Sequence, residues 1–275
     1  MKQFQLPLIS ILIANYNNSR YLKRCINSCL KQTYKNFEII VFDDASTDDS
    51  IKQLKKFKDI KYLVNKKKKT GIPSYDSINS YRTIFNISKG EIICFLDSDD
   101  FFVREKLKTV VDFFSNNPQA QYVQDFPIKF NQLRKFPIKK KNFSFSRWPF
   151  FSPTSCLSVK KELLDTCFKK LCFKKFEDIW LDYRIASYNY FVRNDLNSIN
   201  QGLTYYFQNS FNQSSKFKFL GKSWWLRRLQ AHLFISNYLI NKNYFSLDYF
   251  LTRLIVKIIN FFINFCKIFF QHTCR

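Results

Sequence analysis

The stretch FLDSDD, residues 95–100, places three carboxylates within four positions, at Asp97, Asp99 and Asp100. The rest of the chain is basic, with 45 Lys and Arg residues against 21 Asp and Glu residues. Like charges at this spacing repel each other, and the repulsion raises the pKa values of the carboxyl groups. A folded protein that keeps this cluster therefore needs a partner for it that offsets the repulsion.

Two more polar clusters follow apolar runs nearer the N-terminus. Residues 14–17, ANYN, come directly after LISILI, and residues 43–48, DDASTD, come directly after FEIIVF. Short runs that are apolar throughout are typical of parallel strands buried on both faces. The carboxyl ends of such strands meet at one edge of a sheet, where ligands bind. For any single cluster the alternative is a turn followed by a helix cap, since Asp, Asn and Ser favour both.

The elements that would position these clusters alternate along the chain. We predict strands at 8–13, 37–42, 60–64, 91–96 and 154–159, and helices at 19–32, 48–57, 75–87, 104–115 and 177–191. This alternation predicts an α/β fold with a mostly parallel sheet flanked by helices. Glu177 and Asp178 open the last helix, where the helix dipole favours acidic residues. We interpret residues 120–153 as a loop-bearing insert over the crevice.

The bulk composition excludes some classes of protein. A hydrophobic content of 46% over 275 residues excludes a disordered chain, and the net charge of +24 suggests a polyanionic partner. Nucleic acid, an anionic membrane surface and phosphorylated substrates are all candidates for that partner. Eight cysteines without a CxxC pair, and only two histidines, argue against a zinc site. No cleavage site follows the short N-terminal apolar run, so we expect a cytoplasmic protein with reduced cysteines.

The C-terminal region, residues 222–275, is helical in pattern. Its last stretch carries one narrow polar stripe, formed by Arg253, Lys257, Asn260, Asn264, Lys267 and Gln271. A wide apolar arc beside this stripe predicts an amphipathic helix in the interface of an anionic membrane. A core-packed or dimer-forming helix is the alternative, whereas the lysines and asparagines disfavour a membrane-crossing helix. We therefore expect a catalytic domain at residues 1–221 and a helical, membrane-interface segment at residues 222–275.

Four motifs in a fixed order carry a family resemblance: PLISILIANYN, QTYKNFEIIVFDDASTDDS, KGEIICFLDSDD and EDIWLDYRIA. With these motifs, residues 7–215 resemble the family 2 glycosyltransferases of the GT-A fold. The resemblance implies transfer of a sugar from a nucleotide-sugar donor, a UDP-sugar by default, to an acceptor hydroxyl with inversion. It also implies a glycan or lipid-linked acceptor of cell-envelope synthesis, and a peripheral position at the cytoplasmic face of the plasma membrane.

The resemblance also implies roles for particular residues. Asp99 and Asp97 match the family's D-x-D motif, which binds Mn²⁺ or Mg²⁺ together with the donor. Asp178 matches the general base that deprotonates the acceptor hydroxyl, and Glu177 would orient the base or the acceptor. Asp100 is expected to be a turn or cap residue. The donor-binding residues implied by the same motifs are Ala14, Asn15, Tyr16, Asp43, Asp44, Arg82, Asp97 and Ser98.

The sequence departs from the family pattern near its end. Gln208 and Asn209 stand where family members carry an Arg or His that contacts the diphosphate. Either Lys216 or Lys218 would then supply the charge, or turnover would be weak. A family member with impaired catalysis is therefore one alternative function.

Earlier in the chain, the segment NKKKKTGIPSYDSINSYR is longer than its family counterpart, and only Gly71 and Arg82 can be aligned with it. Two rival functions are less consistent with the sequence. A basic nucleic-acid-binding protein would not need three acidic clusters that repel phosphate, so we expect no nucleic-acid partner. A sugar-phosphate nucleotidyltransferase needs a Gly-rich loop after the first strand, and ANYNNSRYL contains no glycine.

Overall fold

The computed structural model describes residues 6–66, 70–129, 151–172, 174–207, 217–240 and 246–273, with residues 129 and 264–273 described by their backbone only. The chain separates into two compact units. The first contains the described residues up to 207, and the second contains those from 217 onward.

Within the described residues, an eight-stranded mixed sheet forms the first unit. Its strands are β1 (Ile9–Asn15), β2 (Phe37–Asp43), β3 (Lys61–Val64), β4 (Ile92–Asp97), β5 (Phe101–Phe102), β6 (Tyr122–Lys129), β7 (Leu157–Lys160) and β8 (Ser198–Tyr206). Their order in the sheet is β3-β2-β1-β4-β7-β6-β8-β5. The first four strands of this order are parallel, β7 is antiparallel to β4 and β6, β8 is parallel to β6, and β5 is antiparallel to β8. The predicted α/β fold is confirmed.

The helices of the first unit are α1 (Ser19–Leu30), α2 (Ser50–Leu54), α3 (Pro73–Phe85), α4 (Lys106–Asn116), α5 (Lys161–Lys170) and α6 (Leu181–Tyr188). The second unit contains α7 (Lys222–Phe234) and α8 (Leu247–Thr273). A 3₁₀ turn, Thr154–Cys156, precedes β7, and π-helical turns extend α6 over Asn189–Arg193 and α7 over Ile235–Leu239. The fold therefore contains the two C-terminal helices that the sequence predicts.

The apolar runs of the sequence form the core of the first unit. Ile9, Ile11 and Ile13 of β1 are fully buried in one cluster with Leu22 and Ile26 of α1. The intervening residues Ser10 and Leu12 are also buried, so both faces of β1 are covered and the strand is largely apolar. Burying each of these side chains stabilises the fold by about 1.5–3 kcal/mol.

The predicted helix over residues 177–191 is wrong at its start, because α6 begins at Leu181. The carbonyl groups ahead of it bind side chains instead of helix amides: Arg184 donates to the carbonyls of Phe176 and Ile179, and the Ser74 hydroxyl donates to that of Glu177. The acidic pair at residues 177 and 178 therefore lies in a loop before the helix. The helix dipole does not explain that pair.

The interpretation of residues 120–153 as a loop-bearing insert is also wrong in its first third, where β6 lies inside the sheet. The strand is not evident from the sequence because the charged Asp125 interrupts its apolar pattern. Its carboxylate pairs with Lys106 of α4, and both side chains are almost fully buried. Residues 130–150 lie outside the described residues.

The helices of the second unit are joined by a partly buried ion pair. Arg228 of α7 donates two hydrogen bonds to the carboxylate of Asp248 at the start of α8, and His232 stacks on Tyr249. Burial acts to raise the pKa of Asp248, but its hydrogen bonds with His232 and Arg228 and the charges of both side chains outweigh burial and lower the pKa to about 2. In the part of the chain that the structure describes, no helix is both long enough and apolar enough to cross a membrane.

Candidate active site

The sheet register brings the three polar clusters of the sequence to one edge. Asn15 of β1 lies opposite Asp43 of β2, and Ala14 lies opposite Asp97 of β4. Backbone hydrogen bonds continue this pairing past the strand ends, from the amide of Ser98 to the carbonyl of Ala14 at 3.2 Å and from residue 44 to residue 15 at 2.8 Å. The predicted convergence of the three clusters follows directly from the parallel register of β1, β2 and β4.

Asn15 and Asp43 hold the loops at this edge. Both side chains are buried, and the Asn15 amide donates to the Asp43 carboxylate at 2.7 Å. The other oxygen of Asp43 accepts the backbone N–H of Ser46 at 2.9 Å. Between them Ala45 has a φ of 58°, a left-handed conformation that L-residues other than Gly adopt at a cost. This network fixes the path of the β2 loop beneath the site.

Three more predicted donor-binding residues lie on the same edge. Asp44 accepts a hydrogen bond from the side chain of Asn65 at 2.6 Å, which orients its carboxylate. Tyr16 follows β1 directly, and 48% of its side chain is exposed. Ala14 is partly exposed beside it. A planar ring could therefore stack at the end of β1 with a carboxylate at its edge.

Residues 97–100, which we call the acid turn, close β4. The amide of Asp100 donates to the carbonyl of Asp97 at 3.0 Å, which makes the turn tight. Exposure alternates along it: Asp97 and Asp99 are partly exposed, while Ser98 and Asp100 are buried. The two carboxylates of the D-x-D motif are thus the accessible ones, and Ser98 instead accepts a hydrogen bond from Asn18 at 2.9 Å.

Two side chains that the sequence did not single out position the acid turn. Tyr81 of α3 is fully buried, and its hydroxyl donates to Asp97 at 2.7 Å. The hydroxyl of Ser155 accepts the Asp97 amide at 3.0 Å and donates to the carboxylate of Asp100. The second oxygen of Asp100 accepts the amide of Phe207 at 2.8 Å. Asp100 therefore ties the turn to the 3₁₀ turn and to the end of β8.

Without a bound cation, the ionised forms of the three carboxyl groups in the acid turn are electrostatically unfavourable. Burial, and next the charge of Asp99, raise the pKa of Asp97 to about 7. Burial raises the pKa of Asp99 to about 6, although the positive charge of Arg24 acts in the opposite direction. Burial and both neighbouring carboxylates raise the pKa of Asp100 well above its usual range. A cation at this turn would offset the repulsion between neighbouring carboxylates that contributes, after burial, to the raised pKa values of Asp97 and Asp100.

The donor chemistry of the acid turn fits Mn²⁺ or Mg²⁺. These hard cations take oxygen ligands, and Mg²⁺ is commonly held by one or two carboxylates plus substrate phosphates. Asp97 and Asp99 are the two accessible carboxylates. Elsewhere in the described residues, as here, no three His, Cys, Asp or Glu side chains are arranged to hold a metal ion by themselves. The site thus suits a cation that shares its coordination with a phosphorylated ligand.

Arg24 of α1 lies directly against the acid turn, and sequence reasoning missed it. Its guanidinium donates to the carbonyl of Asp99 at 3.0 Å. It also lies over the ring of Phe101 at 4.4 Å and over those of Tyr21 and Phe207 at 5.5 Å. Contacts with three rings fix the side chain in one orientation.

The loop that carries Glu177 and Asp178 is held by a buried arginine. Arg184 donates hydrogen bonds to four backbone carbonyls of the loop, those of residues 171, 175, 176 and 179. Burial lowers its pKa to about 10. Phe176 has a φ of 67°, which is unusual for a bulky residue and turns the chain just before the acidic pair. Glu177 is exposed and Asp178 is partly exposed.

The start of α6 lies near the acid turn. The charge of Asp182 contributes to the raised pKa of Asp97, after burial and the charge of Asp99. Asp182 also contributes to the raised pKa of Tyr122, whose main cause is burial. Sequence reasoning placed the acidic pair of this motif but missed Asp182, although EDIWLDYRIA contains it.

Arg82 is the predicted donor-binding residue that lies on a helix and not at a strand end. It is exposed on α3, and its charge lowers the pKa of Cys172 against the larger effect of burial. The residue before it, Tyr81, is the one that reaches the acid turn. Gln208, Asn209 and Lys216 lie outside the described residues, and Lys218 belongs to the second unit.

Comparison with known proteins agrees with this geometry. The family model described as "Glycosyl transferase family 2" matches residues 10–180, which is more than half of the chain. The chain belongs to glycosyl transferase family 2. The match begins in β1 and ends with the loop of the acidic pair, so it contains all of the predicted site residues. The family resemblance of the four motifs is thereby confirmed.

Relatives within family 2 cover the chain to different extents. An Escherichia coli protein named "UDP-Glc:alpha-D-GlcNAc-diphosphoundecaprenol beta-1,3-glucosyltransferase WfgD" is 28% identical over 225 residues, which are 79% of this chain and 84% of that protein. Three other curated glycosyltransferases are 35–38% identical, but the match spans only 33–44% of their length.

Solved structures share the fold of this family 2 chain. The S. aureus protein TarS, solved with UDP-GlcNAc, has a TM-score of 0.63 at 18% identity over 85% of this chain and 68% of that one. The mannosyltransferase PcManGT from Pyrobaculum calidifontis, solved with GDP-Man and Mn²⁺, has a TM-score of 0.51 at 16% identity, over 83% and 62% of the two chains. These similarities confirm the GT-A fold.

Proposed function

We propose that the protein is an inverting glycosyltransferase that transfers a sugar from a UDP-sugar to a hydroxyl of a lipid-linked glycan. The observation that carries the proposal is the convergence of three strand-end clusters on an acid turn whose two accessible carboxylates need a cation. Membership of family 2 supports the reaction class. The activity that the name of WfgD states, with UDP-Glc as donor and a diphosphoundecaprenol-linked sugar as acceptor, supports the substrate classes.

The donor would lie along the carboxyl edge of β1, β2 and β4. Tyr16 and Ala14 would border the nucleobase, and Asp44 would accept a hydrogen bond from its edge. Asn15 and Asp43 would contribute by holding the loop beneath it. Asp97 and Ser98 would lie beside the ribose and diphosphate. Arg82 would contact the donor from α3, the helix that carries it. The complexes of TarS with UDP-GlcNAc and of PcManGT with GDP-Man support a donor of this class.

Asp99 and Asp97 would hold the divalent cation, Mn²⁺ or Mg²⁺. When bound, the cation neutralises the charge that develops on the departing diphosphate. The Mn²⁺ in PcManGT supports this assignment. Tyr81 would keep the Asp97 carboxylate in place while the ligand changes, and Ser155 would hold the turn through the Asp97 amide and the Asp100 carboxylate.

Asp178 is the proposed general base, and Glu177 the residue that orients it or the acceptor. The carboxylate takes the proton of the acceptor hydroxyl as that oxygen bonds to the anomeric carbon, and the bond from this carbon to the diphosphate oxygen breaks. The nucleoside diphosphate leaves on the opposite face, which inverts the anomeric centre. Arg184 holds the loop that carries both acids, so the base has a defined position.

We place the catalytic domain at residues 1–221 and a membrane-interface segment at residues 222–275. In α8, one face is buried at Asp248, Thr252 and Val256. The remaining surface exposes large apolar side chains beside the exposed basic residues Arg253 and Lys257; the apolar ones are Leu247, Phe250, Leu254, Ile258, Phe261 and Phe262. Apolar and basic groups side by side suit the interface of an anionic membrane. This supports a peripheral enzyme at the inner face of the plasma membrane.

A transfer assay tests the proposal. Purified protein is incubated with Mn²⁺, a panel of UDP-sugars and a polyprenyl-diphosphate-linked N-acetylglucosamine, and the product anomer is determined by NMR. We expect an inverted product from the wild type and a loss of about 10²–10⁴-fold in kcat for Asp178→Asn with donor binding retained. Asp165→Asn, at a half-exposed position of α5, is the matched control and should keep full activity. Loss of donor binding in Asp178→Asn, or transfer with retention, would contradict the proposal.

A further inference from the structure

A concave basic surface lies on α1, outside the strand-end site. Its volume is about 520 Å³, and its cations are Arg20, Lys23, Arg24, Lys31 and Arg104. We call this surface the α1 basic groove. Asn27, Ser28 and Phe102 complete its lining, which contains no carboxylate.

Helix geometry explains why the cations share one face. Residues 20, 23, 24, 27 and 31 recur at helical spacing, so their side chains project from the same side of α1. The distance along the helix from Arg20 to Lys31 is roughly 16 Å at about 1.5 Å per residue. Arg104 joins them because the turn after β5 packs against the end of α1, where the amide of Thr33 donates to its carbonyl at 3.0 Å.

The exposed cations of the groove have no acidic partner among the described residues. In the part of the chain that the structure describes, no carboxylate forms an ion pair with Arg20, Lys23, Lys31 or Arg104. A solvated helix face usually mixes both signs of charge, and the exposed Lys108 and Lys169 do pair with an aspartate one turn away. Cations that converge on a concave surface without an acid repel one another until an anion binds there.

The inner end of the groove is rigid and close to the acid turn. Arg24 belongs to both places, since its guanidinium lines the groove and binds the carbonyl of Asp99. The rings of Phe101 and Phe207 hold it in position. An anion at this end would therefore lie beside the residues that we propose to bind the metal and the donor.

We propose that the α1 basic groove binds the phosphate or diphosphate group of a lipid. The inference rests on the proposed function, in which the acceptor sugar is linked through a diphosphate to a lipid. That diphosphate must then lie within one sugar ring of the reacting hydroxyl, and the groove starts beside the acid turn. Three arginines and two lysines suit a doubly charged, multidentate phosphate ligand better than they suit a ligand with a single carboxylate.

Vesicle binding without donor or metal tests the groove. The variant Lys23→Gln/Lys31→Gln/Arg104→Gln is compared with Lys52→Gln/Lys55→Gln/Lys56→Gln, which removes the same charge from exposed positions at and after α2. For phosphatidylcholine vesicles that contain a diphosphate-linked polyprenol, we expect binding of the groove variant to weaken by about 100-fold. The α2 control should bind as the wild type does. Equal binding by both variants would overturn the proposal, and equal melting temperatures check that both are folded.

Two further arms distinguish the source of the phosphate. Vesicles with phosphatidylglycerol at matched surface charge test an ordinary anionic headgroup, and soluble pyrophosphate tests the group alone as a competitor. Preference for the polyprenol diphosphate, with competition by pyrophosphate, identifies the acceptor; equal binding to phosphatidylglycerol identifies the membrane surface. Either result supports a lipid phosphate site. Binding of the wild type to an RNA oligonucleotide but to no vesicle would contradict it.

The two proposals fail separately. Nucleotide binding is measured by titration of the wild type with UDP and Mn²⁺, and lipid binding is measured in the absence of both. Lipid binding that depends on the groove, without any nucleotide binding, would leave the groove in place and contradict the proposed function. Transfer activity together with vesicle binding that does not depend on the groove would support the proposed function and contradict the lipid-phosphate site.

Discussion

The acid turn and the α1 basic groove are adjacent, but their charged groups differ in sign, in burial and in how neighbouring side chains hold them. The acid turn is largely buried, and hydrogen bonds from Tyr81 and Ser155 hold the carboxyl groups of Asp97 and Asp100. Most cations of the groove are exposed and lack such neighbours, apart from Arg24. Buried charges with fixed geometry suit a small cation that needs defined ligands, whereas exposed cations suit a larger anion. Arg24 joins the two regions.

The largest expected effect comes from the acid turn. Asp99→Ala should lower kcat/KM for transfer by at least about 10³-fold, since metal stabilisation of developing charge is worth several kcal/mol. It should also remove stabilisation of the protein by UDP with Mn²⁺, measured as a shift in melting temperature. Asp59→Ala, at an exposed position, is the control and should change neither quantity. Retained Mn²⁺-dependent activity in Asp99→Ala would mean that the acid turn is not the metal site.

The next effect concerns the rigidity of the acid turn. Ser155→Ala removes the hydroxyl that binds both Asp97 and Asp100 and leaves buried polar groups without a partner. We expect the free energy of unfolding to fall by about 1–3 kcal/mol. Ser80→Ala removes a hydrogen bond within α3 only and should cost less. Urea denaturation measures both, and equal losses would show that Ser155 has no special role in the turn.

A smaller effect tests the residue that joins the two regions. Arg24→Lys keeps the positive charge but loses the planar group that stacks on Phe101 and Phe207. We expect binding of UDP with Mn²⁺ and of diphosphate-bearing vesicles each to weaken by about 10-fold. Arg20→Lys, at an exposed position where the guanidinium lies over the ring of Tyr21, should weaken vesicle binding by about 2-fold at most. An effect of Arg24→Lys on one ligand alone would separate the two regions functionally.

The smallest expected effect separates the regions by salt. Exposed charges are screened strongly as ionic strength rises, and buried charges much less. Raising the salt concentration should therefore weaken vesicle binding through the groove several-fold more than it weakens Mn²⁺-dependent UDP binding. Parallel titrations at low and high salt measure both. Identical salt dependence would contradict the contrast between an exposed and a buried charge cluster.

The parts of this site that the sequence predicts depend on local pattern. β1, β2 and β4 are largely apolar because most of their residues are buried on both faces, and their parallel register brings the polar ends together. β6 was missed because the buried Asp125 interrupts its apolar pattern, and its partner Lys106 is contributed by a helix earlier in the chain. From the sequence alone, a charged residue whose partner reaches it only in the folded state is interpreted as a surface residue.

The site residues that the sequence did not predict were missed for a different reason. Tyr81, Ser155 and Arg24 contact the acid turn from 16, 58 and 75 residues away. Only the packing of α3, the 3₁₀ turn and α1 against the sheet brings them there. The motif EDIWLDYRIA predicted the acidic pair, but the side-chain hydrogen bonds of Arg184 hold residues 176–179 in a loop, so the helix starts later than the sequence pattern indicates.

Calorimetric titration of the wild-type protein with UDP, with and without Mn²⁺, tests the central claim most directly. If the acid turn binds a divalent cation together with a nucleotide diphosphate, UDP should bind in the presence of Mn²⁺ and at least about 10-fold more weakly in its absence. UDP binding of equal affinity under both conditions, or no UDP binding in either, would contradict the account.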